Sequence, residues 1–245
     1  MLMGGLQNFL RGALDFLFPR HCVNCGKSNP NDGYGHLCAE CRNAPFARPV
    51  NRCLRCAEMV GAAAPVFRCA ACENSDFYFD AAKVACEYSG AGAALVRELK
   101  YKNAPYIARD IAKIISESAG FAEYFKGAVL APVPLHKRKM RKRGYNQSAK
   151  ICAEIARQNP NLNIAVAEIL RRKKFTQTQT ALDKDDRTKN VKGAFEIAKN
   201  NLPKDSKIIV LDDVMTSGAT LNECAKVLKR AGFKSVRAFA FARRS

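Results

Sequence analysis

The 245-residue sequence holds no apolar stretch approaching the ~20 residues a helix needs to cross a bilayer. Its apolar start, LQNFLRGALDFLF, is interrupted by Arg11 and Asp15, so it is expected to be neither a membrane span nor a signal peptide. Missing too is a phosphate loop of the nucleoside triphosphatases. The one Gly-Lys-Ser follows Cys25, and His21 stands where the first glycine of that loop belongs, which excludes the class. Acidic residues are scarce, with 22 Asp+Glu against 41 Lys+Arg and a formal net charge of +19. Hydrophobic residues at 48% and charged residues at 26% exclude disordered and collagen-like chains.

What is abundant is cysteine. Eight of the 11 cysteines form four C-x-x-C pairs: Cys22/Cys25, Cys38/Cys41, Cys53/Cys56 and Cys69/Cys72. Twelve residues separate Cys25 from Cys38 and twelve separate Cys56 from Cys69, so the segment is a duplicated C-x2-C-x12-C-x2-C unit. A C-x-x-C turn aims two thiolates at one point, and two such turns complete the tetrahedral sulfur shell that Zn2+ favours. A disulfide framework would need an oxidising compartment. The spacing therefore predicts closed structural zinc sites, two ions rather than one. Ligands come from neighbouring pairs or from a cross-brace, and the short twelve-residue connections favour neighbours. Gly, Pro and Asn fill the intervals, as in GKSNPNDGYG at 26–35, so metal must replace the core that so small a module cannot bury. Cys86, Cys152 and Cys224 stand alone and are expected to be core residues. An amphipathic helix is expected over 1–19, with Leu6, Phe9, Leu10, Ala13, Leu14 and Leu17 on one face.

After residue 80 the texture becomes α/β. Helices are expected at 92–101, 105–118, 146–158 and 220–232, and strands at 128–134, 207–214 and 235–242. Strand, helix, strand order implies a parallel sheet with right-handed crossovers, whose ligands bind beyond the carboxyl ends of the strands. Two exits are chemically unusual. One is the Pro-Val-Pro loop at 132–134. The other is IIVLDDVMTSGAT at 208–220, where two carboxylates precede a small hydroxyl-rich turn that opens into a helix. Such a turn suits a phosphate, and the adjacent carboxylates would repel it unless they engage sugar hydroxyls or Mg2+.

Segment 208–220 resembles the ribose-5-phosphate and pyrophosphate signature of type I phosphoribosyltransferases. LKYKN at 99–103, PVPLHKRKMRKRGYNQ at 132–147, and the spaced set Thr176, Gln179, Leu182, Arg187, Asn190, Val191, Ala194 and Phe195 resemble one branch, the ComF (competence protein F) family. Its members join a double zinc ribbon to a phosphoribosyltransferase domain, which implies modules at about 20–75 and 80–245. The resemblance implies that Asp212 and Asp213 bind the ribose hydroxyls of phosphoribosyl pyrophosphate (PRPP) and serve any catalysis. It implies that Thr216, Ser217, Gly218, Ala219 and Thr220 hold the 5-phosphate, and that Pro132, Val133, Pro134 and Leu135 line the pyrophosphate, with Mg2+. Lys100, Arg138 and Arg143 are candidates to assist. No base-selecting hood or proton-transfer residue is evident, so the acceptor is not named by the sequence.

Charge adds a second theme. Residues 1–80 carry 8 Lys+Arg and 7 Asp+Glu, so nearly the whole surplus lies in the α/β region. The run HKRKMRKR at 136–143 is densest. Lys137, Arg138, Lys139, Arg141, Lys142 and Arg143, with Tyr145, Phe175 and Tyr101 nearby, suit phosphates on cations and bases on rings, predicting single-stranded DNA as a partner. The resemblance points the same way, to DNA uptake in a cytoplasmic protein, with competence-machinery proteins meeting the ribbon. The alternative is a phosphoribosyltransferase of nucleotide metabolism with no DNA role.

Overall fold

In the computed structural model, residues 21–28, 35–43, 51–61, 67–73, 75–174 and 191–244 are described. The helix expected over 1–19 lies outside them. The strands are β1 (Ala82–Glu87), β2 (Val129–Pro132), β3 (Ala165–Val166), β4 (Leu170–Arg172), β5 (Phe195–Ile197), β6 (Lys207–Met215) and β7 (Ser235–Arg243). The helices are α1 (Ala39–Asn43), α2 (Ala70–Glu73), α3 (Gly90–Tyr101), α4 (Ile107–Glu117), α5 (Phe121–Phe125), α6 (Lys137–Arg143), α7 (Gln147–Gln158) and α8 (Ala219–Arg230). No helix among the described residues is long and apolar enough to cross a membrane.

Five strands form a parallel sheet in the order β1-β7-β6-β2-β3, and β4 pairs antiparallel with β5. The continuous apolar character of 208–211 now has its reason. Successive side chains of a strand face opposite sides. Ile209 and Leu211 enter one core with Leu95, Ile111, Phe125 and Ile155, whereas Ile208 and Val210 enter the other with Phe79, Leu221 and Leu228. A strand covered on both faces needs apolar residues throughout. The isolated cysteines behave as expected: Cys86, Cys152 and Cys224 are all buried, and burial pushes the Cys86 thiol up to about 12.

The helices and strands expected after residue 80 are present, with ends within a few residues of the expectation, and β1, β3, β4, β5 and α5 are additional to them. The basic run is additional too: it forms helix α6, with no buried residue, a His136 side chain that accepts from the Arg138 amide at its start, and Gly144 at φ 81° at its end. Lys and Arg favour helix, but without an apolar stripe the run shows no periodicity.

The order of the sheet positions the site. β6 lies at its centre between β2 and β7, and Pro132 pairs in register with Leu211. The loop after β2 and the turn after β6 therefore leave the same edge of the sheet side by side.

Candidate functional site

The two cysteine quartets are separate and built alike. Cys22, Cys25, Cys38 and Cys41 form one group and Cys53, Cys56, Cys69 and Cys72 the other, with all sulfurs of a group within 4.8 Å of one another. Neighbouring pairs thus supply each group, not a cross-brace. In the first, the Gly26 amide donates to the Cys22 carbonyl at 2.8 Å. In the second, the Ala57 amide donates to the Cys53 carbonyl at the same distance. Gly26 (φ 76°) and Ala57 (φ 60°) hold the same left-handed turn, so the sequence duplication is also structural. The Sγ separations Cys25–Cys38 (3.7 Å), Cys53–Cys72 (3.6 Å) and Cys56–Cys69 (3.6 Å) approach the ~3.8 Å edge of a tetrahedron with ~2.3 Å metal–sulfur bonds. The donor sets fit structural Zn2+.

At the far end of β6, Asp212 and Asp213 are held by segments distant in sequence. Asp212 Oδ1 accepts from the Ser148 hydroxyl and from the Asp213 amide, each at 2.9 Å. Lys100 Nζ lies 2.9 Å from Asp213 Oδ1, and only 3% of the Asp213 side chain is exposed. Asp213 Oδ2 is buried with no hydrogen-bond partner among the described residues. Burial, reinforced by the neighbouring Asp213, pushes the Asp212 carboxyl up to about 7. Burial opposes the charge of Lys100, yet Asp213 and Asp212 hold its ammonium above the usual lysine range.

These groups open on a cavity of about 200 Å3. Of the residues anticipated from the sequence, Lys100, Val133, Leu135, Arg143, Asp212, Asp213 and Thr220 line it together, joined by Lys139 from the basic run. Pro132 is buried in β2, and Arg138 is exposed on α6. Thr216 and Ser217 are half-buried in the turn between β6 and α8, and Ala219 begins that helix. Gly218 caps α8 at φ 79°, a left-handed conformation that strains any residue bearing a Cβ, so the turn favours glycine. Sequence reasoning missed Arg172, Gln147 and Ser148. Arg172 lines the cavity from β4. Burial lowers its guanidinium, partly offset by Asp212. Ser148 adjoins the Arg-Gly-Tyr-Asn-Gln motif and was within reach of it. Burial, Arg172, Arg143 and Lys100 all lower the Lys139 ammonium, so the cations here outnumber the carboxylates they face.

A second cleft of about 650 Å3 continues from the first, sharing Lys100, Tyr101, Lys139 and Arg143 and adding Arg141 and Lys142. No carboxylate is among its described lining. Tyr101 is 64% exposed, with the Arg143 guanidinium 6.0 Å from its ring centre. Tyr145 needs a correction: it is only 8% exposed and its hydroxyl donates to the Leu99 carbonyl, so its ring packs in the core and cannot stack on a base. Phe175 and residues 176–190, with Thr176, Gln179, Leu182, Arg187 and Asn190, lie outside the described residues.

Two expectations follow. Metal analysis of the purified chain should give two zinc equivalents, and Cys56→Ser should retain one; a single equivalent in the unsubstituted chain would contradict the separate quartets. The raised Asp212 carboxyl has a definite sign. The folded state holds this proton more tightly than the unfolded chain, so its contribution to stability is present below about pH 4 and is lost as pH rises towards 7. Urea midpoints across that window should fall less with pH in Asp212→Asn than in the unsubstituted chain.

Known proteins share both parts of the chain. Residues 13–73 match the Double zinc ribbon domain family and residues 148–245 the Phosphoribosyl transferase domain family. Competence protein F of Haemophilus influenzae is 28% identical over 234 residues, covering 92% of this chain and 98% of that protein. DNA utilization protein YhgH of Salmonella typhimurium is 29% identical over 213 residues, covering 84% of this chain and 90% of its own. YhgH of Escherichia coli K12 is 29% identical over 163 residues, covering 64% and 69%. The chain therefore joins a double zinc ribbon domain to a phosphoribosyltransferase domain and is a homologue of Competence protein F and the YhgH proteins over most of its length.

Proposed function

We propose that this protein binds PRPP with Mg2+ at the end of β6 and contacts single-stranded DNA along α6, as a cytoplasmic component of DNA uptake or utilisation. One observation carries the PRPP reading: two carboxylates, one with a buried oxygen that lacks a partner among the described residues, stand in a cavity whose other charged lining residues are the cations Lys100, Lys139, Arg143 and Arg172. A ligand with hydroxyls at one end and phosphates at the other matches that distribution. Asp212 and Asp213 would accept from the ribose 2′- and 3′-hydroxyls. The turn from Thr216 to Thr220 would hold the 5-phosphate through hydroxyls and amides at the start of α8. The pyrophosphate would lie by Pro132, Val133, Pro134 and Leu135, where Lys100, Lys139, Arg143 and Arg172 concentrate positive charge. Mg2+ would neutralise the diphosphate there and help stabilise charge on a departing pyrophosphate.

The DNA reading is supported by the names of the relatives, a competence protein and DNA utilization proteins, and by the second cleft. Its cations would take backbone phosphates, and exposed Tyr101 would stack on a base. Transfer of the phosphoribosyl group to a base is the alternative, in which the same Asp pair acts in catalysis.

Calorimetry should detect PRPP binding in the presence of Mg2+, and Asp212→Asn with Asp213→Asn should weaken it at least tenfold, about 1.4 kcal/mol, with the fold intact by circular dichroism. Unchanged affinity would refute the site. Release of pyrophosphate with some base would favour the transferase; binding without release would favour the DNA-handling role. For DNA, replacing Arg138, Arg141 and Arg143 together by alanine should weaken binding to an oligonucleotide and reduce the slope of log affinity against log salt by about 2. An unchanged slope would show that α6 is not the contact.

A further inference from the structure

The second cysteine quartet sits closer to the phosphate turn than the separation of the two modules in sequence implies. Residues 75–80 lead from that quartet into β1, and they are fastened at both sides. On the quartet side, Arg55, which lies between Cys53 and Cys56, donates from Nη1 to the Asp80 carbonyl and from Nη2 to the Phe77 carbonyl, each at 2.6 Å. On the other side, Asn222 in the first turn of α8 grips the same segment twice. Its Oδ1 accepts from the Tyr78 amide at 2.6 Å, and its Nδ2 donates to the Asp76 carbonyl at 2.9 Å.

Phe77 completes the link. It packs against both the apolar cluster formed by Cys53, Cys56 and Cys72 and the core on the α8 face of the sheet. Its ring stacks on buried Phe79 at 4.8 Å, and its Cε1 lies 3.6 Å from where a Cβ on Gly218 would stand. A second connection runs through β7. Arg243 donates from Nη1 to the Cys56 carbonyl at 2.9 Å and pairs with Glu58, and it stands in register with Met215, the last residue before the turn. The first quartet is tied elsewhere, with His36 paired to Asp110 on α4 at 2.9 Å and Leu37 buried in the opposite core.

We propose that Phe77 and Asn222 are positioning residues for the turn at 216–220, and that metal in the second quartet, but not the first, is thereby coupled to anion binding at that turn. The coupling rests on the PRPP reading above. Metal fixes Cys53 and Cys56, these fix Arg55, and Arg55 with Asn222 fixes the strap on which Gly218 and the start of α8 rest. Loss of that metal would let the turn amides and hydroxyls depart from the one arrangement that fits a phosphate. Because linkage is reciprocal, a phosphate ligand in the turn must hold the metal more tightly by the same factor.

Reciprocity supplies a test that does not depend on turnover. Zinc release from the loaded full-length chain to a chromophoric, zinc-selective chelator should show two phases. PRPP with Mg2+ should slow one of them at least fivefold, and that phase should be missing in Cys69→Ser. Asn222→Ala should keep both zinc ions and the native circular dichroism, abolish the slowing, and weaken PRPP binding by a comparable factor. Asn222→Asp keeps the acceptor for the Tyr78 amide and loses the donor to Asp76, and should fall between. PRPP that binds by calorimetry yet slows neither phase, or slows both equally, would overturn the coupling and leave the proposed function standing. Full slowing in Asn222→Ala would also overturn it. Absence of PRPP binding to the zinc-loaded chain would overturn both.

Discussion

Placing two adjacent carboxylates at the end of a strand covered on both faces is costly, because a buried charge must be paired or hydrogen-bonded. Asp212 and Asp213 meet that demand with groups from distant segments: Lys100 at the end of α3 and Ser148 at the start of α7. The central place of β6 brings these helix ends to one point. Asn146 fixes the start of α7, accepting from the Ser148 amide and donating to the Val133 carbonyl in the loop after β2. The loop, the helix start and the acidic pair thus form one hydrogen-bonded unit. Compensation is incomplete. A carboxylate oxygen of Asp213 lacks a partner among the described residues, and Asp212 holds its proton more tightly than an ordinary carboxyl. A ligand bearing hydroxyls or a cation would complete it.

The ribbon solves a different problem. It is too small to bury a core of its own, and it makes up the shortfall with sulfur quartets and with the sheet it leans on. The first quartet shares the core of α3 and α4, and the second is joined to the strand ends by Arg52–Glu87 and Arg243–Glu58. With two Zn2+ on eight thiolates, the formal +19 falls to about +15. The remaining surplus belongs to the α/β region, and Lys100, Lys139, Arg141, Lys142, Arg143 and Arg172 bring part of it to the clefts beside the acidic pair.

Much of this was legible in the residues. The four thiol pairs follow from spacing, since the C-x-x-C turn is a local structure, whereas their grouping into neighbouring quartets rather than a cross-brace comes from the fold. Residues 208–211 of β6 and 238–242 of β7 are uninterrupted apolar runs because both faces are covered. The Asp-Asp pair before Thr-Ser-Gly-Ala-Thr marks where the apolar run stops, near the carboxyl end of the strand, although β6 itself continues to Met215 and buries Asp213. Other features were hidden for physical reasons. Helix α6 carries no apolar stripe, so its charge was visible and its conformation was not. Tyr145 was taken for a base platform from its basic neighbours, but the chain turns at Gly144 and carries the ring into the core. Arg172 reaches the cavity through the β4–β5 pairing, a long-range contact with no local signature.

Under the PRPP reading, the turn after β6, the loop after β2 and the carboxylate pair form one site for a phosphorylated ribose. Hydrogen–deuterium exchange of the zinc-loaded chain with and without PRPP and Mg2+ tests it most directly. Protection should rise together in peptides covering 132–135 and 212–222, and this change should vanish in the double Asp212→Asn, Asp213→Asn variant. Protection confined to α6, or absent from both segments at saturating PRPP, would contradict the account.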